Sequence, residues 1–340
     1  MIAILMMVLA CGDDTQNEIT VQEKPTIQEM SIAGSPTIIV YSGRGEALVG
    51  ELFTQIEEEL KVNIEVQYGS TPEMVTRLLT EADQSPADII FAQDSGHLGA
   101  LTKQGRLEML SPSILDDVDS RFQAKDGTWI GTSGRLRVLV YDSKKYTVDQ
   151  LPTSLKDLAD PKWKGVLGWA PSNGSFQAHV SALRHLWGEV ETKEWLEGVI
   201  ANEPKRFPKN SPQVKAVNDG GLGIGLVNHY YLHRLDPNGR TAVNYSFPDV
   251  DGGNILMLAG VGVRKGSPNK KAAEQVIEYL VSIEGQSHFT MNNFEYPTRP
   301  NVPTNPDVPD INIENLTHVP QEHLADVGPT RTLLKDLSLQ

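Results

Sequence analysis

From Pro36 onward the chain switches repeatedly between a strand period and a helix period, and that alternation restricts the folds open to it. Thr37-Ile38-Ile39-Val40-Tyr41 is a β-rich run closed by the turn Ser42-Gly43-Arg44-Gly45. Leu48, Leu52, Ile56 and Leu60 then recur at spacing four, which predicts a helix over 46–60 with one apolar face. Ile64-Glu65-Val66-Gln67-Tyr68 is a second strand ending at Gly69. Ser70-Thr71-Pro72-Glu73 opens a helix with a capping hydroxyl and a proline in its first turn, and Met74, Leu78 and Leu79 mark its buried side. Ala87-Asp88-Ile89-Ile90-Phe91-Ala92 is a buried strand, followed by a helix from about 95. This order predicts an α/β domain on a mixed, mostly parallel sheet. Ligands of such sheets sit beyond the carboxyl ends of strands, which marks the loops 42–46 and 93–96.

Further on, Trp129-Ile130-Gly131 and Arg137-Val138-Leu139-Val140-Tyr141 read as two strands leading away from that domain. A second lobe would hold the strand 166–169, helices 176–187 and 191–200, and the strand 223–227. The apolar run 255–263 reads as the return to the first lobe, with a helix over 269–283 behind it. The tail from 298 is rich in Pro and Asn and ends in a short helix near 328–337. The expected division is 36–133 and 255–300 in lobe 1, and 134–254 and 301–340 in lobe 2.

The N-terminus adds a location. Residues 1–10, MIAILMMVLA, are apolar and uncharged and run into Cys11, the only cysteine in 340 residues. A run of that length falls short of the roughly 20 residues a spanning helix needs and reads as a secretory signal. Val8-Leu9-Ala10-Cys11 resembles a bacterial lipobox, so residues 1–11 are expected to be a lipoprotein signal, with Cys11 lipidated. The expected location is the periplasm or the outer face of the cytoplasmic membrane. Residues 12–35 lack aromatics and periodicity and read as a flexible tether. With Cys11 assigned to lipid, no thiol is left for a disulfide or a metal site. Thirty basic against 44 acidic residues give a net charge of −14, which argues against nucleic acid and slightly favours a cationic ligand. There is no P-loop, G-x-S-x-G elbow or H-E-x-x-H motif, so no enzyme is expected.

Six segments carry a resemblance to a known family: Val40-Tyr41-Ser42-Gly43-Arg44, Ser85-Pro86-Ala87-Asp88, Ser133-Gly134-Arg135-Leu136-Arg137-Val138, Asp160-Pro161-Lys162-Trp163-Lys164-Gly165, Asn228-His229-Tyr230-Tyr231 and Glu295-Tyr296-Pro297. In this order they resemble the ferric-ion-binding periplasmic proteins of ABC iron importers. The resemblance spans roughly 36–300 and implies a two-lobed type II periplasmic-binding-protein fold with a hinge. It also implies a monomer that hands Fe(III) to a membrane permease. Fe(III) is hard and prefers anionic oxygen, and in the family two adjacent tyrosines bind it. They match Tyr230 and Tyr231, at what looks like a helix start. Tyr141 matches a third phenolate used by some branches.

The first lobe departs from the family: Gly45 and Glu46 stand where a histidine or tyrosine is usual, and Gln93 stands where one branch has a glutamate. Glu46 or Asp94 is left to supply a carboxylate, or carbonate or another exogenous anion fills the remaining positions. Arg44 and Arg135 are candidates to pair with that anion, because guanidinium binds planar oxyanions bidentately. Asn173, Gly174 and Ser175 match the family's anion-binding turn at a helix N-terminus, and Asn210 and Asn228 match polar residues lining it. His229 and His233 are expected to be exposed or capping, and His179 and His185 to lie on a helix surface. Two other readings stay open: a binding protein for a polyamine, organic solute or iron chelate, and a secreted enzyme on the same fold.

Overall fold

In the computed structural model, residues 35–309, 311, 316–324 and 326–339 are described; the apolar N-terminal run, Cys11 and the tether up to residue 34 lie outside them. The first half begins as the periodicity predicts, with β1 (Thr37–Ser42), α1 (Glu46–Leu60), β2 (Asn63–Tyr68), α2 (Thr71–Glu81), β3 (Ile89–Ala92) and α3 (Gly96–Lys103). α1 buries Val49, Leu52, Phe53 and Ile56 along one face, each worth roughly 1.5–3 kcal/mol of apolar transfer. α2 starts in a complete capping box, in which Ser70 Oγ accepts from Glu73 N while Glu73 accepts from Ser70 N.

After α4 (Pro112–Asp116) the chain enters β4 (Ile130–Asp142). The sequence suggests two strands here, yet β4 is one strand of 13 residues, all buried. A register shift between Gly131 and Ser133 absorbs the irregularity. Gly134 lets the strand pass where a Cβ would come within 2.9 Å of Leu256. The rest of the chain gives β5 (Leu167–Trp169), α5 (Gly174–Trp187), α6 (Glu189–Ala201), β6 (Lys205–Arg206), α7 (Asn210–Asn218), β7 (Ile224–Asn228), β8 (Ala242–Tyr245) and β9 (Leu256–Val263), then α8 (Lys270–Leu280), α9 (Ile283–Met291), α10 (Gln321–Leu324) and α11 (Val327–Asp336). The single helix expected over 269–283 ends early. Ser282 caps a new one through Gly285 N, and a Cβ on Gly285 would lie 2.2 Å from Tyr279 O.

The strands order as β2-β1-β3-β9-β4-β7-β5-β6, with β8 also on β4. Parallel pairs form the two outer arms, β2-β1-β3 and β7-β5-β6. Among the described residues, the antiparallel strand pairs are those made by β4 and β9. β4 therefore belongs to both arms: Ile130–Leu136 pairs with β9, and Arg137–Tyr141 pairs with β7. One apolar core lies around Phe53, Phe91 and Phe289, and another around Trp163, Trp169, Phe176 and Trp195. β3 runs towards Leu256, opposite Leu136, and β7 ends at Asn228, opposite Arg137. The carboxyl ends of the two arms thus converge on the middle of β4.

Candidate functional site

The chain leaves β7 into a six-residue 3₁₀ turn, His229–Arg234, where the sequence suggests an α-helix start. The rings of Tyr230 and Tyr231 lie side by side on it, centroids 4.4 Å apart and planes inclined by 30°. The Arg234 guanidinium covers both, at 5.1 and 4.8 Å. Burial raises the Tyr230 pKa above the usual phenol range, and the neighbouring Tyr231 adds to this, while the charge of Arg135 opposes it. Among the described residues, no group of three or more His, Cys, Asp or Glu converges as a metal site.

Beside the tyrosines lies Arg137, buried on β4. Its Nη1 donates to Asn228 Oδ1 at 3.0 Å and Ser175 Oγ at 3.4 Å, and its Nε to His179 Nδ1 at 3.4 Å. Its Nη2 has no partner. Burial brings the Arg137 pKa down to about 10, against the pull of Tyr231 and Tyr230. His179 is neutral. Burial and the Arg137 charge hold its pKa at about 3, and its Nε2 donates to Gly252 O at 2.6 Å. At the start of α5, Asn173 Oδ1 accepts from Ser175 N at 3.1 Å and Ser175 Oγ at 2.6 Å. Asn210 Nδ2 donates to Ser175 Oγ at 3.2 Å, while Asn210 Oδ1 is buried without a partner. A Cβ on Gly174 would meet nothing within 4 Å. Asn173, Gly174, Ser175, Asn210 and Asn228 are thus brought together, around a buried cation that still has a donor to offer.

Three other expected residues sit elsewhere. Tyr141 pairs with Ile224, four residues along β7 from Asn228, which is ~13 Å at the rise of a strand. Its ring packs edge-on to Tyr245 at 6.5 Å, so strand register takes this third phenol away from the pair. Arg44 is buried between the rings of Phe91 and Phe289. Both ends of its fork are taken by Glu295, Nη1 to Oε1 at 3.1 Å and Nη2 to Oε2 at 2.9 Å, which leaves no fork for an anion. Glu46 is exposed at the start of α1. Its charge, after burial, helps push Tyr68 up to about 12. Arg135 stays at the convergence: its Nη2 donates to the Gln93 carbonyl, its Nε is unpartnered, and its charge reaches Tyr230. Asp94 follows Gln93 and contacts His97.

Sequence reasoning missed the parts that hold this geometry. His179 and His229 are buried rather than on the surface. His229 Nδ1 accepts from Leu136 N at 3.0 Å and Nε2 donates to Phe294 O at 2.7 Å; burial lowers its pKa to about 4. The ring leans on Tyr296, and His233 stacks on Phe294, each at 4.7 Å. The strap 294–296 therefore pins the residue preceding Tyr230 and, through Glu295, also holds Arg44 and Ser133. Arg137 was legible in principle, because residues 135 and 137 of a strand face the same side.

The chain is similar to known proteins. Residues 84–320 match the family described as bacterial extracellular solute-binding protein. "Iron uptake protein A1" of Synechocystis is 33% identical over 282 residues, covering 80% of this chain and 78% of that protein. The "Fe(3+)-binding periplasmic protein" of Serratia marcescens is 31% identical, covering 79% of this chain and 81% of its own. The structure of iron-bound HitA from Pseudomonas aeruginosa superposes with a TM-score of 0.82 at 28% identity, covering 89% of this chain and 99% of that one. The α/β fold on a mixed sheet is thus the two-lobed periplasmic-binding fold.

Proposed function

The chain belongs to the bacterial extracellular solute-binding proteins, and from that premise we propose that it captures Fe(III) between its lobes for an ABC importer. The observation that carries this reading is the Tyr230–Tyr231 pair, two phenols in contact at the carboxyl end of β7 with guanidinium groups beside them. Phenolate oxygen suits a hard trivalent cation. A phenol carries its proton in its ordinary state at neutral pH, so binding through phenolates requires iron to displace protons, which couples binding to pH. The raised pKa of Tyr230 makes that displacement harder for any weakly polarising cation. Relatives named for ferric iron support the same reading.

The second element is an anion subsite. Arg137 Nη2, the Ser175 hydroxyl, Asn210 and the N-terminus of α5 surround the open space over Gly174, a cradle suited to carbonate or a similar planar oxyanion. Arg137 takes the role that the sequence suggested for Arg44. We assign residues 36–133 and 255–300 to one lobe and 134–254 and 301–340 to the other. The changeover then falls within β4, three residues before its partner changes from β9 to β7 between Leu136 and Arg137. Export through the N-terminal signal, anchoring at Cys11 in the periplasm and delivery to a membrane permease complete the reading. It is tested by adding ferric salt and bicarbonate to purified protein. The expected result is a visible phenolate-to-iron band, absent from the Tyr230→Phe, Tyr231→Phe double variant. A well-folded wild type without the band sinks the proposal.

A further inference from the structure

We infer that His179 is a positioning residue of the anion subsite: it holds the Arg137 guanidinium with Nη2 free and its charge unneutralised until the anion arrives. This rests on the anion reading above. A guanidinium has five N–H groups to place. On Arg137 three are used: Nε donates to His179 Nδ1 at 3.4 Å, and Nη1 donates to Asn228 Oδ1 at 3.0 Å and Ser175 Oγ at 3.4 Å. The two on Nη2 have no partner among the described residues. Ser175 and His179 lie four apart on α5, so one helix face supplies two of the three acceptors. Asn228 supplies the third as the register partner of Arg137 on β7. Ser175 Oγ is itself committed, because it donates to Asn173 Oδ1 and accepts from Asn210 Nδ2. Nη2 is therefore the donor left for an oxyanion.

An imidazole at this place has a chemical consequence. A carbonyl only accepts, so the 2.6 Å contact to Gly252 O puts the ring proton on Nε2. The Arg137 Nε–H only donates, so His179 Nδ1 is the bare acceptor. The two contacts together fix the neutral tautomer, in keeping with a pKa held at about 3 by burial and the Arg137 charge. The loop that carries the carbonyl is held in turn. Gly252 N donates to Thr317 Oγ1 at 3.0 Å, and Trp187 Nε1, further along α5, donates to Asp251 O at 2.8 Å. Arg44 is the contrast. Arg44 and Arg137 are 0% and 1% exposed, but Arg44 meets the Glu295 carboxylate fork to fork, whereas no carboxylate bonds to Arg137 among the described residues. A buried charge without a counter-ion is unfavourable, so Arg137 draws in an anion where Arg44 does not. A carboxylate at position 179 would neutralise Arg137 and compete with that anion. An apolar side chain there would release Nε and let the fork turn away.

Full-length wild type, His179→Gln, His179→Leu and His179→Glu are titrated with ferric citrate, with and without bicarbonate, and the phenolate band is followed. The ratio of the two affinities reads the anion. A glutamine amide can accept from Arg137 Nε and donate to Gly252 O, so His179→Gln is expected to keep the ratio within about threefold of wild type. His179→Leu and His179→Glu are expected to bring it to about one, with the band itself kept in all three. A wild-type ratio in His179→Leu or His179→Glu, or a ratio in His179→Gln as low as in His179→Leu, overturns the assignment while leaving Fe(III) binding intact. Nitrogen-15 spectra of histidine-labelled, metal-free wild type test the ring directly, with His179 identified by the signal missing from His179→Gln. The neutral Nε2–H form is expected at neutral pH, and an imidazolium or an Nδ1–H form overturns the assignment. A wild type whose iron binding is indifferent to bicarbonate overturns the anion subsite and this assignment together, and one without the phenolate band overturns the Fe(III) reading as well.

Discussion

Replacing Glu295 by alanine removes the anionic partner that the described residues give the Arg44 guanidinium. Arg44 is 0% and Glu295 2% exposed, and the two meet fork to fork at 2.9 and 3.1 Å. Ser133 Oγ also loses its acceptor. Breaking a buried pair from one side costs about 3–5 kcal/mol, mostly because the remaining charge stays desolvated. At roughly 2 °C per kcal/mol for a chain of this size, the melting temperature should fall by about 6–10 °C. Replacing both partners, Arg44→Met with Glu295→Leu, should recover most of that, to within about 2 kcal/mol of wild type. Protonation gives an independent check. Burial pushes the Glu295 pKa up, but the charge and hydrogen bonds of Arg44 outweigh it and hold the carboxyl below its ordinary range. A depressed carboxylate contributes its full stability above the unfolded-state pKa, near 4.3, and loses it as pH falls through the lower folded-state value. The gap between wild type and Glu295→Ala should therefore be widest near neutrality and close in acid. Denaturant unfolding from pH 7 down to pH 3 measures it. A neutral-pH gap below about 1 kcal/mol, or one that stays constant into acid, would refute the reasoning.

Three further outcomes follow from the same geometry. Binding through Tyr230 and Tyr231 releases two phenol protons, so the apparent Fe(III) affinity against a citrate competitor should rise with pH by close to two protons per iron, and by about one in Tyr231→Phe. Arg137→Met removes an incompletely partnered buried cation, so thermal stability should change little while the dependence of iron binding on bicarbonate disappears; an unchanged bicarbonate titration argues against the anion cradle. Gly134→Val drives a side chain into Leu256, since even a Cβ would sit 2.9 Å away, and should cost roughly 1–3 kcal/mol in denaturant unfolding.

What the sequence revealed and what it concealed divide along a physical line. Local periodicity and caps located α1, α2, α5 and β9 because each depends on residues close in the chain, such as Leu52 and Ile56 on one face or the Ser70–Glu73 box. The Tyr230–Tyr231 pair was legible for the same reason, being a local dipeptide. Tyr141 was misplaced because a ligand role depends on register: pairing with Ile224 instead of Asn228 is invisible in composition and moves the phenol by four residues of strand. Arg44 looked free because its partner is 251 positions away. β4 is where these long-range facts gather. Ser133 faces Glu295, Leu136 N is read by His229, Arg135 reaches Gln93 and Arg137 reaches Asn228, all within five residues of one buried strand. Leu136 and Arg137 are where β4 passes from β9 to β7, so these bonds lie at the seam between the two arms. The His229 contacts to Leu136 N and Phe294 O tie the tyrosine turn to the strap 294–296 and to β4. The buried polar side chains of β4 thus join the strap 294–296, the end of β3 and the end of β7 to one strand, and aliphatic side chains at 133, 135 and 137 would remove all three links.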